Sequence, residues 1–319
     1  MTLEDAAVRY MTEVADGQPS RDDSYRSLQR LMAFIGSSTR MDAITDQKVA
    51  AFVAHRKKQP RFGRKTFADK RPMPPISGAT VNRDVAVLKR LFVRSRKTWK
   101  ITLPNEPDWT AHRLDEAKER TRELHVEEDI ALEDAVRPDY APWLAFAKLS
   151  GVRLNETLIE WSQVNFFAKR ISTVGKGGRP VYIEMTPAIC ALLEPLRGNH
   201  PVSVFTFVAL RTNKPKGLVR GQHYPISYHG AKTEWQRLRK RSGVTDFRFH
   251  DIRHDFATKL LRATGNLKIV SKALNHSDIS VTAKYAHVDR TDVREAMELA
   301  ERERSKTRKK TGTGQADVA

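Results

Sequence analysis

Residues 170–185, with the sequence RISTVGKGGRPVYIEM, contain the clearest strand pattern in a chain that is otherwise patterned as helices. Val181, Ile183 and Met185 alternate with Tyr182 and Glu184, and a glycine-rich turn separates this run from the β-branched run Arg170–Val174. Such a pattern around a glycine-rich turn is typical of a β-hairpin. One hairpin among many helices predicts an α+β fold that is mainly helical.

Apolar residues at helical spacing surround this hairpin. In the first hundred residues, the pattern predicts one helix that ends at Gly36, one that begins at Asp46 and one that begins at Thr80. Val126–Val136 and Trp143–Leu149 are predicted as helices closer to the hairpin.

Two prolines in the segment 103–109, and a polar, charged segment after it, interrupt the helical pattern. A break of this kind is typical of a connection between domains. We therefore expect a helical domain over residues 1–110, a linker over 111–121 and a mixed domain over 122–304. Residues 305–319 are basic and then small and polar, a composition that predicts a disordered tail.

The 319-residue chain is strongly basic, with 57 lysines and arginines against 38 acidic residues and a formal net charge of +19. Such an excess indicates a polyanionic partner, with nucleic acid favoured over an anionic membrane surface. A membrane role would lack an apolar anchor, because no apolar run approaches the roughly 20 residues of a membrane span. The single cysteine, Cys190, excludes a disulfide framework and a cysteine-based zinc site, and it fits a reducing cytoplasm.

Positive charge is concentrated in two parts of the expected N-terminal domain. The segment 56–71 holds eight lysines and arginines and one acidic residue, and it is predicted as a long basic loop. One face of the helix that begins at Thr80 is also basic. The loop is either a solvated linker or a segment that follows the DNA backbone, where phosphate would neutralise its self-repulsion. The residues expected to contact DNA are Arg56, Lys57, Lys58, Arg64, Lys65, Arg83, Lys89 and Arg90.

Five short segments contain the candidate chemistry. They are GVRLNE (151–156), GKGG (175–178), HDIRHDF (250–256), LNHSD (274–278) and AKYAHV (283–288). Singly, each is unspecific, because a histidine in a helix or a lysine in a glycine turn is more often structural. Together they supply at least two arginines, a lysine, two histidines and a tyrosine to a basic protein.

This set of side chains fits the cleavage of a phosphodiester, which puts extra negative charge on the non-bridging oxygens. Guanidinium groups stay charged and donate paired hydrogen bonds, so two arginines and a histidine can supply the stabilisation that Mg²⁺ supplies elsewhere. A tyrosine nucleophile forms a phosphotyrosyl intermediate that keeps the bond energy, so rejoining needs no ATP. A lysine on a hairpin turn can protonate the departing oxygen. We therefore expect no metal and no other cofactor.

The order and spacing of the five segments resemble the tyrosine recombinase (phage integrase) family over roughly Arg122 to Val288. The resemblance implies a helical, SAM-like core-binding domain followed by the mixed α/β catalytic domain of the DNA breaking-rejoining enzymes. Metal-independent recombination through a 3′-phosphotyrosyl intermediate is the implied activity. The implied catalytic residues are Arg153, Lys176, His250, Arg253, His276 and Tyr285.

The resemblance also implies how these residues divide the work. Arg153 and Arg253 would clamp the phosphate oxygens, and His276 would brace the scissile phosphate. His250 would bind the phosphate and help to take the proton of the nucleophile, Tyr285.

Around this set, Lys176 would protonate the leaving oxygen, and neighbouring basic residues compete with it for that assignment. Glu156 would hold an active-site group in place without reacting. His254 and His287, which lie beside motif residues, are expected to be structural.

One position departs from the family pattern, because Asn275 stands where the family usually has glycine before the second motif histidine. The position is expected to follow a helix and to need a left-handed backbone. Asparagine is the non-glycine residue that tolerates this conformation best, so we expect the geometry to be kept.

The expected role is that of an integrase of a phage or mobile element, acting in the cytoplasm on nucleoid DNA. A resolvase of chromosome or plasmid dimers is the alternative with the same chemistry, and a type IB topoisomerase would share the active site. A catalytically silent DNA-binding regulator is the alternative from another class, but all six of the implied catalytic residues are present.

The expected partners are double-stranded DNA, three further copies of the chain in a tetramer at synapsis, and possible accessory DNA-bending proteins. Thr291–Glu303 is predicted as an amphipathic helix that docks on a neighbouring protomer or packs on its own domain. The core-binding helices start almost at residue 1, so no additional arm-binding domain is expected before them.

Overall fold

The computed structural model describes residues 1–63, 66, 70, 72–117, 120, 122–286, 294, 297–298, 300–302 and 304. The chain divides into two compact units, Met1–Glu119 and Arg120–Ala319, and each unit has its own hydrophobic core. The basic tail and His287 lie outside the described residues, as does most of the segment expected to form the last helix.

The first unit is helical in its described part. Its helices are α1 (Leu3–Tyr10), α2 (Arg21–Ile35), α3 (Asp46–Lys57) and α4 (Gly78–Lys97). The predicted end at Gly36 and start at Asp46 are confirmed, and α4 begins two residues before Thr80. The sequence prediction gives no bounds for helix α1, because this helix is short and mixed in charge. Its first turn is held by a capping box in which Thr2 and Asp5 each accept the other's backbone N–H.

A buried carboxylate, Asp84 on α4, ties three helices of this unit together. It accepts hydrogen bonds from Ser27 and Arg30 of α2 and from Nε of Arg56 of α3, at 2.7, 2.7 and 2.9 Å. The Arg56 side chain is only 10% exposed. Arg56 is therefore a cross-link between helices, and a contact of its guanidinium with DNA would leave the buried Asp84 with one partner fewer. Its contact with DNA stays a prediction.

The second unit mixes helices with two small antiparallel sheets. Its helices are α5 (Val126–Ala135), α6 (Ala141–Ser150), α7 (Pro187–Leu193), α8 (Tyr228–Ser242), α9 (Phe249–Thr264) and α10 (Leu267–Ala273). Its strands are β1 (Val164–Asn165), β2 (Arg170–Val174), β3 (Pro180–Glu184), β4 (Thr206–Val208) and β5 (His223–Pro225). The expected mainly helical α+β class is confirmed.

The predicted hairpin is formed by β2 and β3, with Ile171 opposite Ile183 and Thr173 opposite Val181. Ile171, Val181 and Ile183 are buried, so one face of the hairpin closes the core of the unit. In the sheet order β1-β2-β3, strand β3 lies at an edge. Within the described residues, no helix is long and apolar enough to span a membrane.

Candidate active site

The site is built around the end of α6, where Gly151 reverses the chain. Gly151 ends the helix in a left-handed conformation, with φ of 61°, and its N–H bonds to the carbonyl of Ala147. A Cβ at this position would overlap the ring of Phe256 on α9. Only glycine therefore allows α6 to end this close to α9, and the next turn brings in Arg153.

Glu156 orients Arg153. One carboxylate oxygen of Glu156 accepts the backbone N–H of Arg153, and the other accepts its Nη1, both at 2.9 Å. The side chain of Glu156 is 3% exposed, whereas that of Arg153 is 39% exposed. The carboxylate is thus buried behind the arginine, and part of the guanidinium remains open to a ligand.

Arg253 on α9 is buried, with 2% of its surface exposed. Its Nη1 donates to the carbonyl of Gly151 at 3.1 Å, and its Nη2 donates to the carbonyl of Leu274 at 2.6 Å. Burial, followed by the nearby positive charge of Arg153, lowers the pKa of Arg253 to about 10. Arg253 still remains charged at neutral pH. A bound anion would raise its pKa again, because a nearby negative charge favours the charged guanidinium.

The turn after α10 presents His276. Asn275 has a φ of 51°, so the left-handed backbone expected at this position is confirmed. The ring Nδ1 of His276 lies 2.8 Å from the hydroxyl of the buried Thr282, and its backbone N–H bonds to Ser271. The ring is therefore fixed in direction beside Leu274, whose carbonyl holds Arg253.

The candidate nucleophile, Tyr285, is 3% exposed. Its hydroxyl lies 2.9 Å from Nδ1 of His254, and the His254 ring packs edge-on against His250 with centroids 4.9 Å apart. A structural histidine is expected at 254, yet the structure places its ring directly against the tyrosine hydroxyl. His250, which is expected to take the tyrosine proton, contacts the His254 ring.

His250 stands in a positive environment. Partial burial lowers its pKa, and the positive charges of Arg253, Lys284 and Arg153 lower it further. A neutral imidazole is thereby favoured, and a neutral ring can accept a proton or donate a hydrogen bond to a phosphate oxygen.

The turn of the β2–β3 hairpin lies close to Glu156, the residue that orients Arg153. A Cβ on Gly175 would lie 3.0 Å from Oε1 of Glu156 and 2.7 Å from Cγ2 of Val181, so the end of β2 packs closely against the carboxylate that orients Arg153. Gly177 and Gly178 both adopt positive φ, which makes the turn. The backbone of Lys176 lies in this turn, and its side chain lies outside the described part of the chain.

The spacing of the histidines on α9 is a sequence signal for the position of His254 in the site. His250 and His254 are four residues apart and share one face of a helix. A histidine on the same face as a motif histidine is placed to contact the same partners. The contact between Glu156 and Arg153 has a similar sequence signal, because an acidic residue three positions after an arginine is placed to accept hydrogen bonds from it.

The expected DNA-contact residues of the first unit divide by exposure. Lys57 and Lys58, at and just after the end of α3, and Arg83, Lys89 and Arg90 on α4 are exposed. The base of the loop after α3 is closed by backbone bonds from Arg61 to Pro74 and from Ile76 to Gln59. Arg64 and Lys65 lie outside the described residues.

The sequence model of the phage integrase family matches residues 127–292, more than half of the chain. The chain belongs to the phage integrase family. The matched region contains every residue of the candidate active site named above.

Two curated relatives align with different shares of this chain. The integrase of Salmonella phage P22 is 26% identical over an alignment 309 residues long, which covers 90% of this chain and 76% of the relative. The tyrosine recombinase XerC of Staphylococcus aureus (strain JH9) is 26% identical over 150 residues, 46% of this chain and 47% of the relative. The aligned part is thus about half of XerC.

Solved integrase structures share the fold. A fragment of the Tn1549 transposon integrase in complex with circular intermediate DNA matches 93% of this family member and 99% of that chain, with a TM-score of 0.66 and 16% identity. A lambda integrase dimer bound to a COC′ core site matches 91% and 96%, with a TM-score of 0.67 and 17% identity. The likeness establishes the fold of tyrosine recombinases for this chain.

Proposed function

We propose that this chain cleaves and rejoins DNA at specific sites, with Tyr285 as the nucleophile. The observation that supports this most directly is the pair of guanidinium groups beside the buried tyrosine. Arg153 is oriented by Glu156 and partly open, and Arg253 is buried against neutral carbonyls. Two positive charges, one paired with a buried carboxylate and the other held by neutral carbonyls, form a site suited to a phosphate.

In the proposed reaction, the Tyr285 oxygen attacks the scissile phosphorus and the bond from phosphorus to the 5′ oxygen breaks. The products are a 3′-phosphotyrosyl bond and a free 5′-hydroxyl, and the reverse reaction with another 5′-hydroxyl rejoins the strand. Arg153, Arg253 and His276 stabilise the negative charge that develops on the non-bridging oxygens.

Two proton transfers accompany this step. In the tautomer with an unprotonated Nδ1, His254 accepts the hydroxyl proton of Tyr285, and His250 lies against the His254 ring. Lys176, on the hairpin turn, gives a proton to the departing 5′ oxygen. These roles need no ATP, because the phosphotyrosyl bond conserves the energy of the phosphodiester.

An integrase of a phage or other mobile element is the role that the relatives favour. The alignment with the P22 integrase extends over 90% of this chain, and that with XerC over 46%.

The exposed lysines and arginines of the first unit bind the phosphate backbone of the duplex. One of the similar solved structures is a lambda integrase tetramer bound to a Holliday junction, which supports a tetramer at synapsis for this chain. Accessory DNA-bending proteins, and action on the nucleoid in the cytoplasm, complete the proposal.

The test is covalent trapping on nicked DNA. A duplex site selected by the protein from random-sequence DNA is nicked next to the cleavage point, so that a short 5′-hydroxyl fragment diffuses away and the phosphotyrosyl adduct persists. The wild-type chain should form this adduct, and Tyr285→Phe should bind the same DNA without forming it, because no charge is lost.

Each alternative function gives a different result in this assay. Adducts that persist in Tyr285→Phe would assign the nucleophile to another tyrosine. Binding without adducts in the wild-type chain would indicate a silent DNA-binding protein. Relaxation of supercoiled plasmid without a selected site would indicate a topoisomerase.

A further inference from the structure

The side chain of Asn275 clasps the backbone of the hairpin. Its Oδ1 accepts the N–H of Tyr182 at 3.0 Å, and its Nδ2 donates to the carbonyl of Tyr182 at 2.9 Å. Tyr182 lies in β3, the edge strand of its sheet, where backbone groups that face away from β2 need another partner. The carboxamide of Asn275 pairs with both groups as a neighbouring strand would.

Only asparagine combines the two properties that this position uses. Its backbone adopts a φ of 51°, which glycine would also accept and most other side chains would not. Its carboxamide offers one acceptor and two donor hydrogens, whereas glycine has no side chain and aspartate lacks the donor.

Asn275 lies between two residues of the site. The carbonyl of Leu274 on one side accepts Nη2 of Arg253, and the ring of His276 on the other side is fixed by Thr282. Tyr182 lies six residues after Lys176 on the same hairpin. The clasp therefore joins the phosphate-binding turn after α10 to the hairpin that bears Lys176.

The hairpin has a second anchor, the close approach of Gly175 to Glu156. That contact holds the end of β2, and the clasp holds β3, so each arm of the turn is fixed to a different part of the site. Without the clasp, the β3 arm loses its tie to the His276 turn.

We propose that Asn275 is a positioning residue that holds the Lys176 hairpin in place for proton transfer to the leaving 5′ oxygen. The inference rests on the proposed function, because it assigns Lys176 as the proton donor. Loss of two net hydrogen bonds corresponds to a decrease of about tenfold in the equilibrium constant that favours the correct hairpin position.

The test compares two substrates with Asn275→Gly, a variant that keeps the backbone conformation and removes the clasp. On ordinary DNA, the rate of adduct formation should fall about tenfold. On DNA with sulfur in place of the 5′ bridging oxygen, the leaving thiolate needs no proton, and the variant should match the wild-type rate. Lys176→Ala should show the same rescue by sulfur.

Two control variants separate positioning from general damage. Asn266→Ala removes the cap of α10, where Asn266 accepts the N–H groups of Lys268 and Ile269, without touching β3. Any rate loss in this variant should be equal for both substrates. His276→Ala, which removes a phosphate contact, should also stay slow with sulfur.

Hydrogen exchange gives a direct readout of the clasp in the free protein. The amide of Tyr182 should exchange faster in Asn275→Gly than in the wild type, while the amide of Ile171, which lies in the interior of the same sheet, should not change. Asn275→Asp, which keeps the acceptor and loses the donor, should fall between the two in both assays and replaces the glycine variant if that variant does not fold.

Three results would overturn the proposal. They are an unchanged rate on ordinary DNA, an equal loss on both substrates, and an unchanged exchange rate at Tyr182. Failure of the proposed function looks different, because the wild-type chain would then form no adduct with either substrate.

Discussion

The hydroxyl of Tyr285 lies 2.9 Å from Nδ1 of His254, and both side chains are buried. The candidate nucleophile therefore has a hydrogen-bond partner whose side chain is able to take its proton. Arg253 precedes His254 on α9, so the phosphate-binding residue and the partner of the nucleophile are adjacent in sequence.

His254→Leu should slow adduct formation by tenfold or more and leave DNA binding nearly unchanged, because it removes the proton acceptor and no phosphate contact. General-base contributions are typically about 10²–10⁴-fold, and His250 can supply part of this effect. Single-turnover cleavage of the nicked duplex under saturating protein measures the rate.

His254→Asn is the matched control, because its carboxamide places an acceptor near the position of Nδ1. This variant should recover part of the lost rate. Equal and normal rates in both variants would return His254 to a purely structural role.

The sequence predicts much of this site because its chemistry depends on residue types at fixed spacing. Arg153, His250, Arg253 and His276 stand in short motifs, and the hairpin is visible from alternation around glycines. The contacts of His254 and Asn275 are different, because they join segments far apart in the chain: 31 residues separate His254 from Tyr285, and 93 separate Tyr182 from Asn275.

Charge density alone also does not reveal the contact that Arg56 makes with Asp84. The residue stands at the start of a basic run, but α3 continues through it to Lys57, and its side chain turns inward to Asp84. Nothing in the local sequence indicates this, because Asp84 is 28 residues away on α4. A contact between residues far apart in the sequence can bury a basic side chain, and such a contact is not visible from local charge.

The lowered pKa of His250 predicts a contribution to acid sensitivity. In the unfolded chain, the pKa of this ring is near the ordinary 6.5, and burial and neighbouring positive charges lower it in the folded chain. Between the two values, the unfolded state binds more protons, so the free energy of unfolding rises with pH in that window. The stabilisation is therefore lost as the pH falls below about 6.5.

His250→Gln should remove this contribution. The loss of unfolding free energy between about pH 7 and about pH 5, measured by urea denaturation, should be smaller in this variant than in the wild type. His229→Gln, a change at an exposed site on α8, is the control and should follow the wild-type curve. Identical slopes in all three proteins would contradict the assignment.

Cleavage should continue in excess EDTA, within about twofold of the rate without chelator, because Arg153 and Arg253 provide the positive charge at the phosphate. Adduct formation on the nicked duplex is measured at constant ionic strength, since salt changes DNA binding by itself. A requirement for Mg²⁺ in the cleavage step would contradict the proposed mechanism.

Arg56 and Arg90 should respond oppositely to the same truncation. Arg56→Ala leaves Asp84 buried with one partner fewer, so it should lower the free energy of unfolding by about 2 kcal/mol. Arg90 is exposed on α4, and Arg90→Ala should change stability by less than about 0.5 kcal/mol. Urea denaturation of the two variants measures this difference.

DNA binding should reverse the order of the two variants. Each phosphate contact contributes about one unit to the slope of log affinity against log salt, so Arg90→Ala should reduce that slope by about one. Arg56→Ala should keep the wild-type slope under conditions in which it is folded, because its guanidinium is bound to Asp84 and not to phosphate. A reduced slope in Arg56→Ala with normal stability would mean that the guanidinium leaves Asp84 when DNA binds.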